Sequence, residues 1–118
     1  MVGYLTTHVL DTALGSPAKG IRIVLYRLTH SGHRKISEML TNYDGRTNEP
    51  ILPQNNFLTG TYELVFFCGE YLQQTGQVTS DPLFLDEVPI RFGVSDAEAH
   101  YHVPLLLSPH GYSTYRGS

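Results

Sequence analysis

One pattern constrains this chain more than any other. Short runs of β-branched, aromatic and alternating residues recur along it, and each is cut off by turn residues. "GTYELVFFC" (60–68) is the strongest run. Val, Phe, Tyr and Thr fit a pleated, half-buried surface, and Gly, Pro, Asn and Asp interrupt it. "YLTTHVLD" (4–11) stops at "LGSPAKG" (14–20). "IRIVLYRL" (21–28) puts Ile21, Ile23 and Leu25 on one face and Arg22, Val24 and Tyr26 on the other. "HSGH" (30–33) reads as a hairpin tip, with "RKISEML" (34–40) returning from it. "EVPIRFGV" (87–94), "EAHYHVPLLLS" (98–108) and "GYSTYR" (111–116) complete the set. "GEYLQQTGQ" (69–77) is the one stretch that suits a helix, about two turns long and ended by Gly76. The pattern predicts an all-β fold: an antiparallel two-sheet β-sandwich of seven or eight strands with one short helix. No linker, repeat or low-complexity segment breaks it, so residues 1–118 read as a single domain.

Composition removes several function classes. A chain of 118 residues can bury a core without staples. A formal net charge of −3 offers no basic footprint for nucleic acid. Cys68 stands alone, which excludes an intramolecular disulfide and a Cys-based zinc cluster. It is expected to be a small buried hydrophobe without a catalytic role. The opening "MVGYLTTHVLD" has no basic n-region and no long apolar core, so neither a secretory leader nor a membrane partner is expected. Cytoplasm is the default compartment, with periplasm and peroxisome left open.

The side chains able to do chemistry are scattered. Six histidines are present, and imidazole is the group whose unperturbed pKa lies nearest neutrality. His8 shares a strand face with Thr6 and Leu10. His100 and His102 in "HYH" share another, with Tyr101 opposite. Such a pair supplies two metal ligands where a catalytic site needs three. Arg46 follows an Asp-Gly turn, where an exposed loop charge is the ordinary outcome. His30, His33 and His110 lie in turns. Pro104 inside the last long strand predicts a strand start, a kink or a sheet edge. No nucleophile elbow, P-loop or metalloprotease helix is present.

Three stretches together resemble the transthyretin-like family. They are "THVLDTALGSPAKGIRIVLYR" (7–27), "TNYDGRTNEPIL" (41–52) and "YHVPLLLSPHGYSTYRGS" (101–118). Within that family the chain is similar to the branch that hydrolyses 5-hydroxyisourate. That branch ends in Y-R-G-S, as this sequence does, and carries His, Arg and His where His8, Arg46 and His102 stand. The carrier branch looks like Lys, Glu and Thr at those places and lacks the terminal tetrapeptide.

The resemblance implies opening of the lactam ring of 5-hydroxyisourate, a purine-derived substrate on the path from urate to allantoin. His8, Arg46, His102 and Ser118 would be catalytic. Tyr115, Arg116 and Gly117 would bind substrate. Either His8 or His102 can be the general base. Arg46 and Arg116 offer planar forks for carbonyl oxygens, and the Ser118 hydroxyl and carboxylate complete the set. No metal or organic cofactor is implied. These residues lie on four segments of a sandwich whose interior is filled by its own side chains. The family's homotetramer, a dimer of dimers with sites in a channel between dimers, would supply the missing walls. The face bearing His8 and His102 is expected to line that channel, with 87–94 and the last strands as candidate dimer edges. The alternative is a small-ligand carrier without catalysis.

Overall fold

Along Tyr4–Asp11 (β1) burial alternates residue by residue: Leu5, Thr7, Val9 and Asp11 are buried, while Tyr4, Thr6, His8 and Leu10 are only half covered. That is the period-2 signature of a strand with one face on the core. The same logic runs through the chain. In the computed structural model, which describes residues 3–117, β1 is followed by β2 (Ser16–Pro17), β3 (Arg22–Thr29) and β4 (Gly32–Leu40). A 3-10 turn at Gln54–Asn56 leads to β5 (Gly60–Phe67) and helix α1 (Cys68–Gln74). Strands β6 (Glu87–Val94), β7 (His100–Ser108) and β8 (Gly111–Thr114) finish the fold.

The strands form two four-stranded sheets, ordered β2-β1-β7-β8 and β4-β3-β5-β6. Leu5, Val9, Tyr101, Leu105 and Leu107 from the first meet Ile23, Leu25, Leu64, Phe66 and Ile90 from the second in one buried cluster. The expected sandwich is therefore present, with eight strands. One pairing departs from the antiparallel rule. β1 and β7 run parallel, with Tyr4 opposite His100, Thr6 opposite His102 and His8 opposite Pro104. The helix begins one residue before the expected stretch, and Gly76, at φ 72°, turns the chain after it.

Pro104 does not mark an edge. β7 is an interior strand, flanked by β1 and β8. The physical reason is local. His102 O accepts from Gly117 N–H at 2.7 Å, and Pro104 O accepts from the Thr114 hydroxyl at 2.7 Å. The even-numbered groups of this part of β7 thus face β8, and the N–H that proline lacks falls on that side. β8 ends at Thr114 and the chain pairs again only at Gly117. The proline breaks the ladder to the neighbouring strand while leaving β7 continuous.

Asp11 ties the end of β1 to the helix. Tyr71 Oη donates to its Oδ2 at 2.6 Å and Gln77 Nε2 at 2.8 Å, while the N–H groups of Ala13 and Leu14 donate to Oδ1. Burial pushes this carboxyl up, and the four donors outweigh it and hold the group below its ordinary value. Among the described residues no helix is long and apolar enough to cross a membrane.

Candidate active site

The half-covered face of β1 and the matching face of β7 form one surface. The parallel register sets Tyr4, Thr6 and His8 in a row beside His100, His102 and Pro104. The side chains use that proximity. Thr6 Oγ1 lies 2.6 Å from His100 Nε2 and 2.8 Å from His102 Nδ1. The Tyr4 ring stacks on His100 with centroids 4.2 Å apart and planes 10° apart. The two imidazoles are 6.0 Å apart.

The loop after β4 closes over this face. Asn42 Oδ1 accepts from the N–H groups of Asp44 and Arg46, which tightens the turn. Gly45 has φ 74°, and Val9 N–H donates to its carbonyl at 2.8 Å. A Cβ at Gly45 would collide with the Val9 carbonyl. Only glycine lets the loop lie this close to β1, and the next residue, Arg46, then pairs with His8. Arg46 is exposed, the ordinary outcome for a charge after Asp-Gly, and its backbone is braced against β1.

Tyr4, Thr6, Arg46, Glu49, His100 and His102 are among the walls of a cavity of about 340 Å³ on this face. His8 is not one of its walls. It lies next to Arg46, and its Nε2 donates to the Asp44 carbonyl at 2.7 Å. Burial lowers the pKa of His8, and the Arg46 guanidinium lowers it further. The Asp44 carbonyl and carboxylate partly offset this. Burial also lowers His102, followed by the positive fields of Arg46, His100 and His8. Both rings are therefore held neutral near pH 7, as a general base must be.

The end of the chain contributes unevenly. Gly117 pairs with His102, and a Cβ there would sit 2.5 Å from His102 Cδ2, so the bare glycine packs against the imidazole. Ser118 lies outside the described residues. Tyr115 and Arg116 are placed elsewhere. The Arg116 guanidinium lies 3.9 Å over the Tyr101 ring, on the opposite side of β7 from His102. With Tyr115 it lines a separate depression beside Ile90 and Phe92 of β6. Within one subunit the structure brings together His8, Arg46, His102 and Gly117, and it leaves Tyr115 and Arg116 outside that group. The cause is the interrupted ladder opposite Pro104, which releases residues 115 and 116 from β7.

Thr6 and Tyr4 are functional candidates that the sequence did not single out. Their place beside the H-x-H pair depends on the parallel register. Among the described residues no group of three or more His, Cys, Asp or Glu is arranged to hold a metal ion.

Known proteins carry the same framework. A "5-hydroxyisourate hydrolase 2" from Rhizobium meliloti (strain 1021) is 59% identical over 116 residues, covering 98% of this chain and 97% of that protein. The structure of Klebsiella pneumoniae 5-hydroxyisourate hydrolase superposes with a TM-score of 0.81 at 29% identity, covering 98% of this chain and 94% of the other. A crystal structure of (S)-allantoin synthase gives a TM-score of 0.93 at 49% identity, covering 99% of this chain and 44% of that one. The HIUase/Transthyretin family model matches residues 5–117, and the chain belongs to that family.

Proposed function

We propose that this protein is a hydrolase that opens 5-hydroxyisourate to 2-oxo-4-hydroxy-4-carboxy-5-ureidoimidazoline. Relatives named for that activity align over nearly their whole length. The observation that carries the chemistry is the cavity in which His102 and Arg46 meet. Lactam hydrolysis needs a base to take a proton from water and a cation to stabilise the carbonyl oxygen as it gains charge. His102 supplies the base, since its ring faces the cavity while His8 is spent on the Asp44 carbonyl. Arg46 supplies the oxyanion partner through a planar fork of donors. His8 keeps Arg46 in place through their pairing. Gly117 lets the tail approach His102 closely.

The cavity is open on one side of a thin sandwich. A homotetramer, a dimer of dimers with this face turned into a shared channel, would close it. In that assembly Tyr115 and Arg116 would act on substrate from a neighbouring subunit, or would serve the subunit contact beside β6. A carrier role is disfavoured by the charged and imidazole walls, since a pocket for an apolar ligand has few polar groups.

The test uses freshly generated 5-hydroxyisourate and follows its ultraviolet absorbance. The protein should speed the decay far beyond buffer. His102→Asn should lower turnover by about two to four orders of magnitude with the fold intact. A decay rate equal to buffer sinks the hydrolase reading, and a loss under about tenfold in His102→Asn removes the base assignment.

A further inference from the structure

The Thr6 hydroxyl is shared by two imidazoles. It has one proton to give, and each neutral ring has one N–H and one lone pair. Oγ1 lies 2.6 Å from His100 Nε2 and 2.8 Å from His102 Nδ1. A linear chain of donors satisfies both contacts in two ways. In the first, His102 Nδ1–H donates to Thr6, Thr6 O–H donates to His100 Nε2, and the lone pair of His102 is left on Nε2. In the second the direction is reversed and His102 Nε2 carries the proton. The hydroxyl therefore decides whether His102 meets the cavity as a base or as an acid.

The surroundings favour the first arrangement during water attack. His102 stands in the field of Arg46, His8 and His100, where a positive charge on its ring is penalised. His100 lies two residues back along β7, and its ring is stacked on the π face of Tyr4, a contact that suits a cationic ring. Thr6 is β-branched and held in the parallel register opposite His102, so its hydroxyl has little freedom to turn away.

Building on the hydrolase reading, we propose that Thr6 and His100 are positioning residues forming a proton relay behind His102. As water oxygen bonds to the lactam carbonyl carbon, its O–H bond breaks and the proton goes to His102 Nε2. The Nδ1 proton moves to Thr6 Oγ1, and the Thr6 hydroxyl proton moves to His100 Nε2. His102 stays neutral and His100 becomes an imidazolium. Arg46 faces the oxyanion. When the C–N bond breaks, its electron pair stays on nitrogen. That nitrogen takes the proton from His102 Nε2 while the relay runs backwards, which restores the starting state. Positive charge is thereby stored against Tyr4 instead of beside Arg46. When His100 Nε2–H donates to Thr6 and the Thr6 proton points to His102 Nδ1, His102 presents an N–H to the cavity and the base is lost. The groups facing this chain are Tyr4 and His8 from β1, Arg46 and Glu49 from the covering loop, and the two histidines of β7.

Nitrogen-15 NMR of the imidazole rings reads the tautomers without substrate. At pH 7.5 the protein should show His102 protonated on Nδ1, and Thr6→Val should lose that preference. In the decay assay Thr6→Val should lower kcat about a hundredfold while KM moves less than about threefold, and Thr6→Ser should restore most of the rate. His100→Phe keeps an aromatic ring against Tyr4 and should match Thr6→Val. The double variant should be no slower than either single variant, because both interrupt one chain. His102 protonated on Nε2 in an active enzyme overturns the relay alone. So do an unchanged kcat in a folded Thr6→Val and additive losses in the double variant. A wild-type protein that does not hasten the decay overturns the hydrolase reading and the relay step with it.

Discussion

His8 and His102 each carry a signature that can be measured one ring at a time. Burial and then Arg46 lower both from the ordinary value of 6.5. A lowered folded pKa means that the unfolded chain binds protons first. Folding stability from these rings is thus complete above about pH 6.5 and is lost as the pH falls from there through their folded values. NMR titration should place both midpoints below 6.5, and Arg46→Gln should raise both. Midpoints at or above 6.5, or indifference to Arg46→Gln, would contradict the field assigned to this guanidinium. Cys68 behaves oppositely: burial, aided by Asp86, pushes its thiol up to about 12, in keeping with an inert core residue. His8, Arg46 and His102 were visible in the sequence because together they match a family pattern, although Arg46 alone read as an ordinary loop charge. Thr6 was not visible, because a threonine in a strand is ordinary until two imidazoles are found on its hydroxyl. Arg116 drew attention through the terminal Y-R-G-S match, and a sequence match says nothing about the side of β7 on which the side chain emerges.

At the scale of elements, the short strands were legible because turn residues bound them and burial alternates within them. The hairpin from β3 to β4 follows from its tip. The parallel pairing of β1 with β7 was not legible, since no local turn encodes a partner almost a hundred residues away. Pro104 misled for a related reason: a missing N–H forbids one ladder, and only the fold says which neighbour bears the loss. The joint between β1 and α1 is a further case of distant residues acting together. Asp11 is 1% exposed and accepts four hydrogen bonds from the turn, Tyr71 and Gln77. Asp11→Ala leaves those donors without a partner and should cost about 3 kcal/mol. Because the folded carboxyl is held below its ordinary value, the stability it contributes is present above about pH 4 and fades in acid. The gap between Asp11→Ala and the parent in urea denaturation should shrink as pH falls from 7 toward 3. A constant gap would show that the network does not depend on the charge.

At the scale of the whole molecule, the core draws on both sheets, while the reactive face lies on one. Leu64 of β5 is fully buried in the sheet that does not carry the reactive face. Leu64→Ala should cost about 3 kcal/mol and lower Tm by about 10 °C. Turnover per folded molecule at 20 °C should be unchanged. His102→Asn should show the reverse, a normal Tm and a large loss of rate. A parallel fall of Tm and rate in Leu64→Ala would mean that the reactive face depends on the packing of the opposite sheet.

The parallel pairing of β1 with β7 also bears on how the protein is made. Thr6 leaves the ribosome well before its partners, since His100 and His102 lie 94 and 96 residues behind it. Until those residues emerge β1 has no β7 beside it, and contacts of such long range close slowly. A stalled or truncated nascent chain can hold the β3–β5 hairpins and part of a core, but it has no reactive face. Catalytic competence therefore has to wait until β7 has been synthesised.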